Sequence, residues 1–439
     1  MVEAVRTKRD VGAGAVYRRL ARNSAYLAAG TVASALCMML AAVLNAHALS
    51  AREFGLLVLF QSATMMLAVL MSFSTQQPVI KLGASALAEG DLPRLGRIIG
   101  LGLLLDAGAA IVAASLAFGV LAVGRDWVKI GHDQAGNAAL FAASLLFTGY
   151  LTSNGIFRLL DRFGLLSLLQ AGCAALLLGV TAWLYATGAP FRSYCWTWAV
   201  FFALNAQLPL AVGLILARRA GIPVRLAPRR MAPGEIPSFL AYCWTTWGVA
   251  TIEALRSNGD SLLVGAMVSV EAAGVYNVAK QLAGVLRKAN AIYASAMFPE
   301  VSALSAQGEA ENARRVRGRI LSVSGAVAAV AIATAALIGH IVLGSLFGAR
   351  FEAAYWPLVI LTAAAASQLI SHTLSMYVQV YVGPERLFHV YALAIILFAI
   401  AVFPLTSALT TTGTALAQLL FSLALIYFCQ RALRRTGAA

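Results

Sequence analysis

Residues 101–123 read LGLLLDAGAAIVAASLAFGVLAV, an unbroken apolar run whose one charged residue is Asp106. An α-helix rises about 1.5 Å per residue, so a run of roughly 20 residues crosses a hydrocarbon core of about 30 Å. Apolar runs of similar length recur along the whole chain. The stretch therefore predicts an all-α membrane protein whose chain crosses the bilayer many times.

The composition of all 439 residues supports this fold class. Hydrophobic residues make up 60% of the chain and charged residues 12%, with a mean hydropathy of +0.80, whereas about a quarter of the residues in a soluble domain are charged. The net charge of +15 is explained by the basic residues that membrane proteins keep on the cytosolic side. We therefore predict contact with membrane lipid and no nucleic-acid partner.

Twelve spans account for the apolar runs, and short connections with Gly and Pro turn residues separate them. The predicted spans are residues 23–48, 55–80, 97–123, 136–157, 164–187, 194–217, 238–267, 274–298, 318–346, 354–381, 387–409 and 411–430.

The distribution of Lys and Arg tests the number of spans. With the amino terminus in the cytosol and alternating sides, 24 of the 33 basic residues fall in cytosolic segments and five in outer segments. One missed or added span would reverse half of the loops and remove this bias. The positive-inside rule therefore predicts an even number of spans with both termini cytosolic.

The basic segments also mark the domain boundaries. Residues 1–22 are predicted to be a cytosolic basic tail and not a cleaved leader, because the following apolar segment exceeds the ~7–15 residues of a signal-peptide core. We expect an N-terminal six-helix lobe over 23–217, a basic cytosolic linker over 218–235 and a C-terminal six-helix lobe over 236–439.

An internal repeat relates the two predicted lobes. The sequence LSAREFGL at 49–56 aligns with VSVEAAGV at 268–275, an offset of 219 residues. In both places a short turn, a long helix and a basic cytosolic loop follow in the same order. Parallel repeats of this kind are typical of alternating-access transporters, and chance similarity between Ala- and Leu-rich segments is the alternative.

Three short motifs resemble the polysaccharide flippase family, whose members move O-antigen and exopolysaccharide units on a lipid carrier. The family lies within the multidrug/oligosaccharidyl-lipid/polysaccharide exporter superfamily. The motifs are Leu49-Ser50 followed by Phe54-Gly55, Gly274-Val275-Tyr276-Asn277 followed by Lys280 and Pro299, and Leu346-Phe347-Gly348 followed by Phe351 and Ala354. The tyrosine that usually follows the first Gly is absent here and is replaced by Leu56-Leu57.

The resemblance implies a V-shaped pair of six-helix bundles around a central cavity, in the bacterial inner membrane. It implies outward flipping of an undecaprenyl-pyrophosphate-linked oligosaccharide, with a polysaccharide polymerase and chain-length machinery as candidate partners. The sequence carries no P-loop, metal-site or nucleophile-elbow motif, so we expect no cofactor, no metal and no catalytic residue.

Charged side chains inside predicted spans are the candidate site, because a charge at mid-bilayer costs at least about 2.5 kcal/mol. The seventh span carries Glu253, Arg256 and Asp260 on one face, and Arg256 is expected to pair with either acid. The alternative role of this group is an internal salt bridge that lets the helix pack.

The eighth span carries a basic and polar sector, which suits a cationic lining for a pyrophosphate head group. Two alternatives stay open: Arg287 and Lys288 extend to the cytosolic interface, or Lys280 pairs with a buried acid such as Glu253 or Asp260. The predicted substrate-binding residues are Arg256, Asn277, Lys280, Gln281, Arg287 and Lys288.

Three acids are candidates for gating or ion coupling, namely Glu253, Asp260 and Asp106. For Asp106, a polar contact between helices is favoured over a proton site. Trp244 and Trp247 are expected to anchor the chain at a membrane interface, with sugar stacking as the alternative.

Three functions are consistent with these features, and flipping of a lipid-linked oligosaccharide by alternating access is favoured. An ion-coupled multidrug or cation antiporter of the same superfamily would need an acidic cavity, whereas the eighth span is purely basic. A membrane polymerase or glycosyltransferase is disfavoured because the longest outer loop, about residues 124–135, is too short for a catalytic domain. The sequence thus predicts a transporter and not an enzyme.

Overall fold

The apolar runs fold into helices throughout the part of the chain that the structure, a computed structural model, describes. These residues are 13–123, 132–226, 234–287 and 310–435. Every regular element within them is helical, which confirms the predicted all-α class. The chain divides into two units, one formed by Met1–Ala41 with Phe60–Gly259 and the other by Ala42–Leu59 with Asp260–Ala439.

The helices are numbered here in chain order. The first nine are α1 (Ala13–Ala48), α2 (Ala51–Met71), α3 (Gln76–Glu89), α4 (Leu92–Val123), α5 (Ala135–Ser144), α6 (Thr152–Leu159), α7 (Phe163–Thr187), α8 (Phe191–Arg219) and α9 (Glu235–Met267). The others are α10 (270–287, as far as it is described), α11 (Ala310–Val342), α12 (Tyr355–Tyr381) and α13 (Pro384–Arg435).

Nine segments of the described residues are long and apolar enough to cross a membrane. The longest of them, Glu385–Arg434, has 50 residues and would extend about 75 Å as one straight helix. It bends back instead at Thr410, whose φ is 53° and ψ −131°. The rings of Phe398 and Phe421 meet across the resulting hairpin at 6.2 Å, so the predicted break between spans 387–409 and 411–430 is confirmed.

Two predicted spans are broken, and their prediction as continuous helices is wrong. Residues 72–75 interrupt the span predicted over 55–80, and residues 148–151 interrupt the span predicted over 136–157. Irregular backbone at membrane depth requires partners inside the protein for its polar groups. The side chain of Asp106 accepts from the amide of Thr152, which follows the second break, and from the hydroxyl of Thr75 at the first, as described below.

In the first unit, the segment that follows α8 lies against α4. The amide of Arg225 donates to the carbonyl of Gly96 at 3.3 Å. A Cβ on Gly96 would lie 2.1 Å from the carbonyl oxygen of Pro223, and a Cβ on Gly100 would lie 2.0 Å from that of Arg225. The beginning of the predicted 218–235 linker is therefore packed on a glycine face of α4; residues 227–233 are outside the described residues.

In the second unit, the two repeated segments adopt matching local structure and contact each other. Ser50 caps α2 through a reciprocal pair with Glu53, and the hydroxyl of Ser269 accepts from the amide of Ala272 at 3.1 Å. A Cβ on Gly274 would lie 3.3 Å from the Cα of Gly55. Serine caps and close-packed glycines thus occupy the same positions of the two segments.

Candidate functional site

Asp260 is the centre of a buried polar network in the second unit. Its Oδ1 accepts from the Nζ of Lys280 at 2.6 Å, and its Oδ2 accepts from the hydroxyl of Tyr276 and the amide of Gln418, both at 3.0 Å. The amide of Ser261 donates to Oδ1 at 2.7 Å, and the Ser261 hydroxyl accepts from Lys280 at 2.9 Å. We call these five residues the Asp260 network.

All members of the Asp260 network are buried. They come from three helices, because Asp260 and Ser261 lie on α9, Tyr276 and Lys280 on α10, and Gln418 on the second arm of the α13 hairpin. A buried ion pair is tolerated when hydrogen bonds satisfy the remaining lone pairs and protons. Here both carboxylate oxygens accept at least two hydrogen bonds, so the charges are compensated inside the unit.

The other predicted binding residues of α10 lie on partly exposed positions. Asn277, Gln281 and Arg287 are half-buried, whereas Lys280 is buried with Asp260. The guanidinium of Arg287 donates to the carbonyl of Lys280 at 3.1 Å, which turns it back along its own helix. Lys288 is outside the described residues.

Glu253 and Arg256 form an ion pair within the first unit. The Nε of Arg256 donates to Oε2 of Glu253 at 3.0 Å, and its Nη2 contacts the other carboxylate oxygen, a two-point geometry between residues one helical turn apart. Arg256 is 3% exposed, whereas the side chain of Glu253 is 55% exposed. One end of this pair is therefore open to its surroundings.

Asp106 joins the two broken helices of the first unit. The hydroxyl of Thr75 donates to its Oδ1 at 2.7 Å, and the amide of Thr152 donates to its Oδ2 at 2.9 Å. The two threonine hydroxyls are themselves 3.1 Å apart. Asp106 is 1% exposed, and it contacts the amino-terminal ends of both α3 and α6, where the helix dipoles favour a negative charge.

The two tryptophans of α9 stack on each other, and one of them also donates a hydrogen bond. The indoles of Trp244 and Trp247 stack at 4.9 Å, and the Nε1 of Trp247 donates to the carbonyl of Leu70 at 2.8 Å. This carbonyl belongs to the last turn of α2, so Trp247 satisfies an acceptor at a helix end. Trp244 is exposed.

Several partners of the charged residues could not be predicted from the sequence. Tyr276 stands in the motif that carries the family resemblance, which was the available signal for it. Gln418 lies 158 residues from Asp260, and Thr75 and Thr152 lie 31 and 46 residues from Asp106. Only the fold brings these donors to their acids.

The fold and the sequence both have known relatives. Residues 198–357 match the family described as "Polysaccharide biosynthesis protein". The chain is 23% identical over 345 residues to "Inner membrane protein YghQ" of Escherichia coli (strain K12), a match that covers 78% of this chain and 96% of that protein.

Solved structures share the fold. An inward-facing multidrug resistance MATE family transporter of the MOP superfamily matches with a TM-score of 0.73 at 12% identity, covering 92% of this chain and 95% of that one. The lipid II flippase MurJ, in an inward closed conformation, matches with a TM-score of 0.70 at 13% identity, covering 93% and 87%. The chain thus shares the fold of these two transporters, and its resemblance to a polysaccharide family is confirmed by the match over residues 198–357.

Proposed function

We propose that this protein flips a polyprenyl-pyrophosphate-linked oligosaccharide from the cytosolic to the outer leaflet of the bacterial inner membrane. The observation that carries the proposal is the match of residues 198–357 to the polysaccharide biosynthesis family. That range includes α9 and α10, which hold most of the intramembrane charges. The shared fold with a lipid II flippase and the similarity to an inner membrane protein support the same assignment.

The Asp260 network supplies a mechanism in which the substrate competes for a cation. In the structure the ammonium of Lys280 is held by Asp260 and Ser261. A pyrophosphate offers stronger and more numerous acceptors than one carboxylate, so its arrival exchanges one anionic partner of Lys280 for another. Arg256, Arg287 and Lys288 add positive charge, and Asn277 and Gln281 add polar donors for the sugars.

The membrane potential favours the proposed direction of transport. An inside-negative potential of about 100 mV drives anions outward, so moving about two negative charges out of the cell releases roughly 4–5 kcal/mol. Glu253, Asp260 and Asp106 are the proposed residues for gating or for coupling to an ion during the return step. A polysaccharide polymerase and chain-length machinery would receive the flipped unit on the outer side.

A deletion strain tests the function directly. We expect lipid-linked oligosaccharide to accumulate on the cytosolic side and surface polysaccharide to fall, because the flipping step is missing. Restoring the wild-type gene is the control. Normal surface polysaccharide in the deletion strain, with all other exporters of this kind removed, would contradict the proposal.

A double-mutant cycle tests the role of the Asp260 network. Lys280→Met leaves a buried carboxylate without its cation, and Asp260→Asn leaves a buried ammonium without its anion, so each single change should cost about 3–5 kcal/mol of stability. The double variant removes both charges and should recover most of that loss. Thermal unfolding of the purified variants in detergent measures the coupling between the two residues.

Export by the double variant then separates function from packing. If Lys280 binds the head group, the double variant is stable but exports little polysaccharide. Wild-type export by the stable double variant would remove Lys280 and Asp260 from the site and leave the pair a structural role.

The second candidate function is an ion-coupled multidrug or cation antiporter, which the fold shared with a multidrug transporter favours. Cationic dyes in inverted membrane vesicles distinguish the two functions. The flippase proposal expects no dye transport above that of vesicles without the protein, whereas proton- or sodium-dependent dye transport would favour the antiporter.

A further inference from the structure

The last arm of the α13 hairpin carries a polar stripe near its carboxyl end. The stripe comprises Tyr427, Gln430, Arg431 and Arg434, spaced at i, i+3, i+4 and i+7, which places them on one face of the helix. The opposite face, with Cys429, Ala432 and Leu433, is buried in the core of the second unit. The stripe therefore points away from that core.

The same outward face changes character along the helix axis. Leu420 and Leu423 are each 47% exposed, and Tyr427 is 57% exposed. About 10 Å separates Leu420 from Tyr427 along the axis, and about 10 Å more separates Tyr427 from Arg434. A helix that passes from the hydrocarbon to the head groups shows this order: exposed leucines, then a tyrosine, then arginines.

The four residues of the stripe line a cavity of about 320 Å³. Among the residues that the structure describes, neither Arg431 nor Arg434 has a hydrogen bond or an ion pair to an acidic side chain. The positive-inside distribution places this end of the chain on the cytosolic side. Two guanidinium groups at the membrane surface, next to an amide and a phenol, form a set of donors for a phosphate.

We propose that the stripe is a binding site for the head group of an anionic phospholipid of the cytosolic leaflet. Arg431 and Arg434 hold the lipid phosphate, and Tyr427 and Gln430 contact the head group and its glycerol backbone. The acyl chains lie along Leu420 and Leu423. The site is separate from the Asp260 network, because it faces outward from the hairpin that contributes Gln418 to that network.

Native mass spectrometry of the full chain in detergent, titrated with phosphatidylglycerol or phosphatidylcholine, tests the site. We expect one phosphatidylglycerol to bind the wild type more tightly than phosphatidylcholine does. A basic residue near an anionic lipid surface contributes about 1 kcal/mol, so the Arg431→Ala/Arg434→Ala variant should bind roughly 30-fold more weakly. Arg431→Lys/Arg434→Lys should keep much of the affinity, since it keeps both charges.

Arg386→Ala is the matched control, because Arg386 is an exposed arginine of the same hairpin that does not line the cavity. Its phosphatidylglycerol affinity should equal that of the wild type. The salt dependence of wild-type binding gives a second reading that needs no substitution, because added NaCl should weaken a bond to phosphate.

The proposal is overturned if the wild type and the double alanine variant bind phosphatidylglycerol equally well, or if Arg386→Ala loses as much affinity as the double variant. Farnesyl pyrophosphate is the competing probe. If it displaces phosphatidylglycerol from the wild type at much lower concentration, the site belongs to the pyrophosphate of a prenyl carrier and the phospholipid assignment is wrong.

Discussion

Asp106 illustrates how one carboxylate can contact two helix breaks at once. The breaks at residues 72–75 and 148–151 free backbone groups that water cannot satisfy at membrane depth. Asp106 accepts from the first amide of α6 and from the hydroxyl of Thr75, which precedes α3. The polar contact between helices that the sequence favoured for this residue is therefore present, while a role in coupling stays a proposal.

Asp106→Ala should lower the free energy of unfolding by about 3 kcal/mol. The change leaves the Thr152 amide and the Thr75 hydroxyl buried without their charged acceptor, and each such loss costs about 1–3 kcal/mol. Thermal unfolding of the purified protein in detergent measures the effect. Thr75→Ser keeps the hydroxyl and should be milder than Thr75→Val, whereas an Asp106→Ala protein that melts like the wild type would show that the contact is unimportant.

The packing of α4 shows how glycines allow another backbone segment to lie directly against a helix. Gly96 and Gly100 are spaced four residues apart on one face of this helix, and the carbonyls of Pro223 and Arg225 lie against them. No side chain could be placed there without moving backbone. The start of the predicted linker is therefore packed against the first unit. Its Arg and Pro content predicted only a simple connection.

Gly100→Ala should destabilise the protein by about 1–3 kcal/mol, the usual cost of overpacking, because its Cβ would meet the Arg225 carbonyl oxygen at 2.0 Å. Gly108→Ala is the control on the same helix, since nothing lies within 4 Å of its added Cβ. The control should be neutral or slightly stabilising, as Ala is the better helix former. Equal melting temperatures for the two variants would argue against the packed linker.

At the scale of the whole molecule, the charge distribution makes a prediction about orientation. With 24 basic residues assigned to one side and five to the other, the positive-inside rule predicts a cytosolic carboxyl terminus. A green fluorescent protein fused after Arg435 should fluoresce, and alkaline phosphatase fused after Ala189, between α7 and α8, should be active outside. An inactive phosphatase at Ala189 together with a dark carboxyl-terminal fusion would reverse the orientation.

The sequence by itself determined the all-α membrane class, the approximate position of most helices and the turn at Thr410. These features depend on local hydropathy and on breaker residues, which act within one or two helical turns. The repeat was also visible, and Ser50 and Ser269 cap their helices as equivalent residues. The charges of α9 and α10 could be singled out because charge is rare in apolar spans.

Apart from the local pair of Glu253 and Arg256, which the sequence predicts, tertiary structure decided what those charges contact. Asp260 meets Lys280 after 20 residues and Gln418 after 158, and nothing in their separation along the chain specifies the pairing. Residues 72–75 read SFST and precede Gln76, Gln77 and Pro78, so the sequence did carry a polar break signal there. The acid that the Thr75 hydroxyl meets, Asp106, lies 31 residues away. The physical reason is the same in both cases: a buried polar group must find a partner, and only the packed fold determines which one is near.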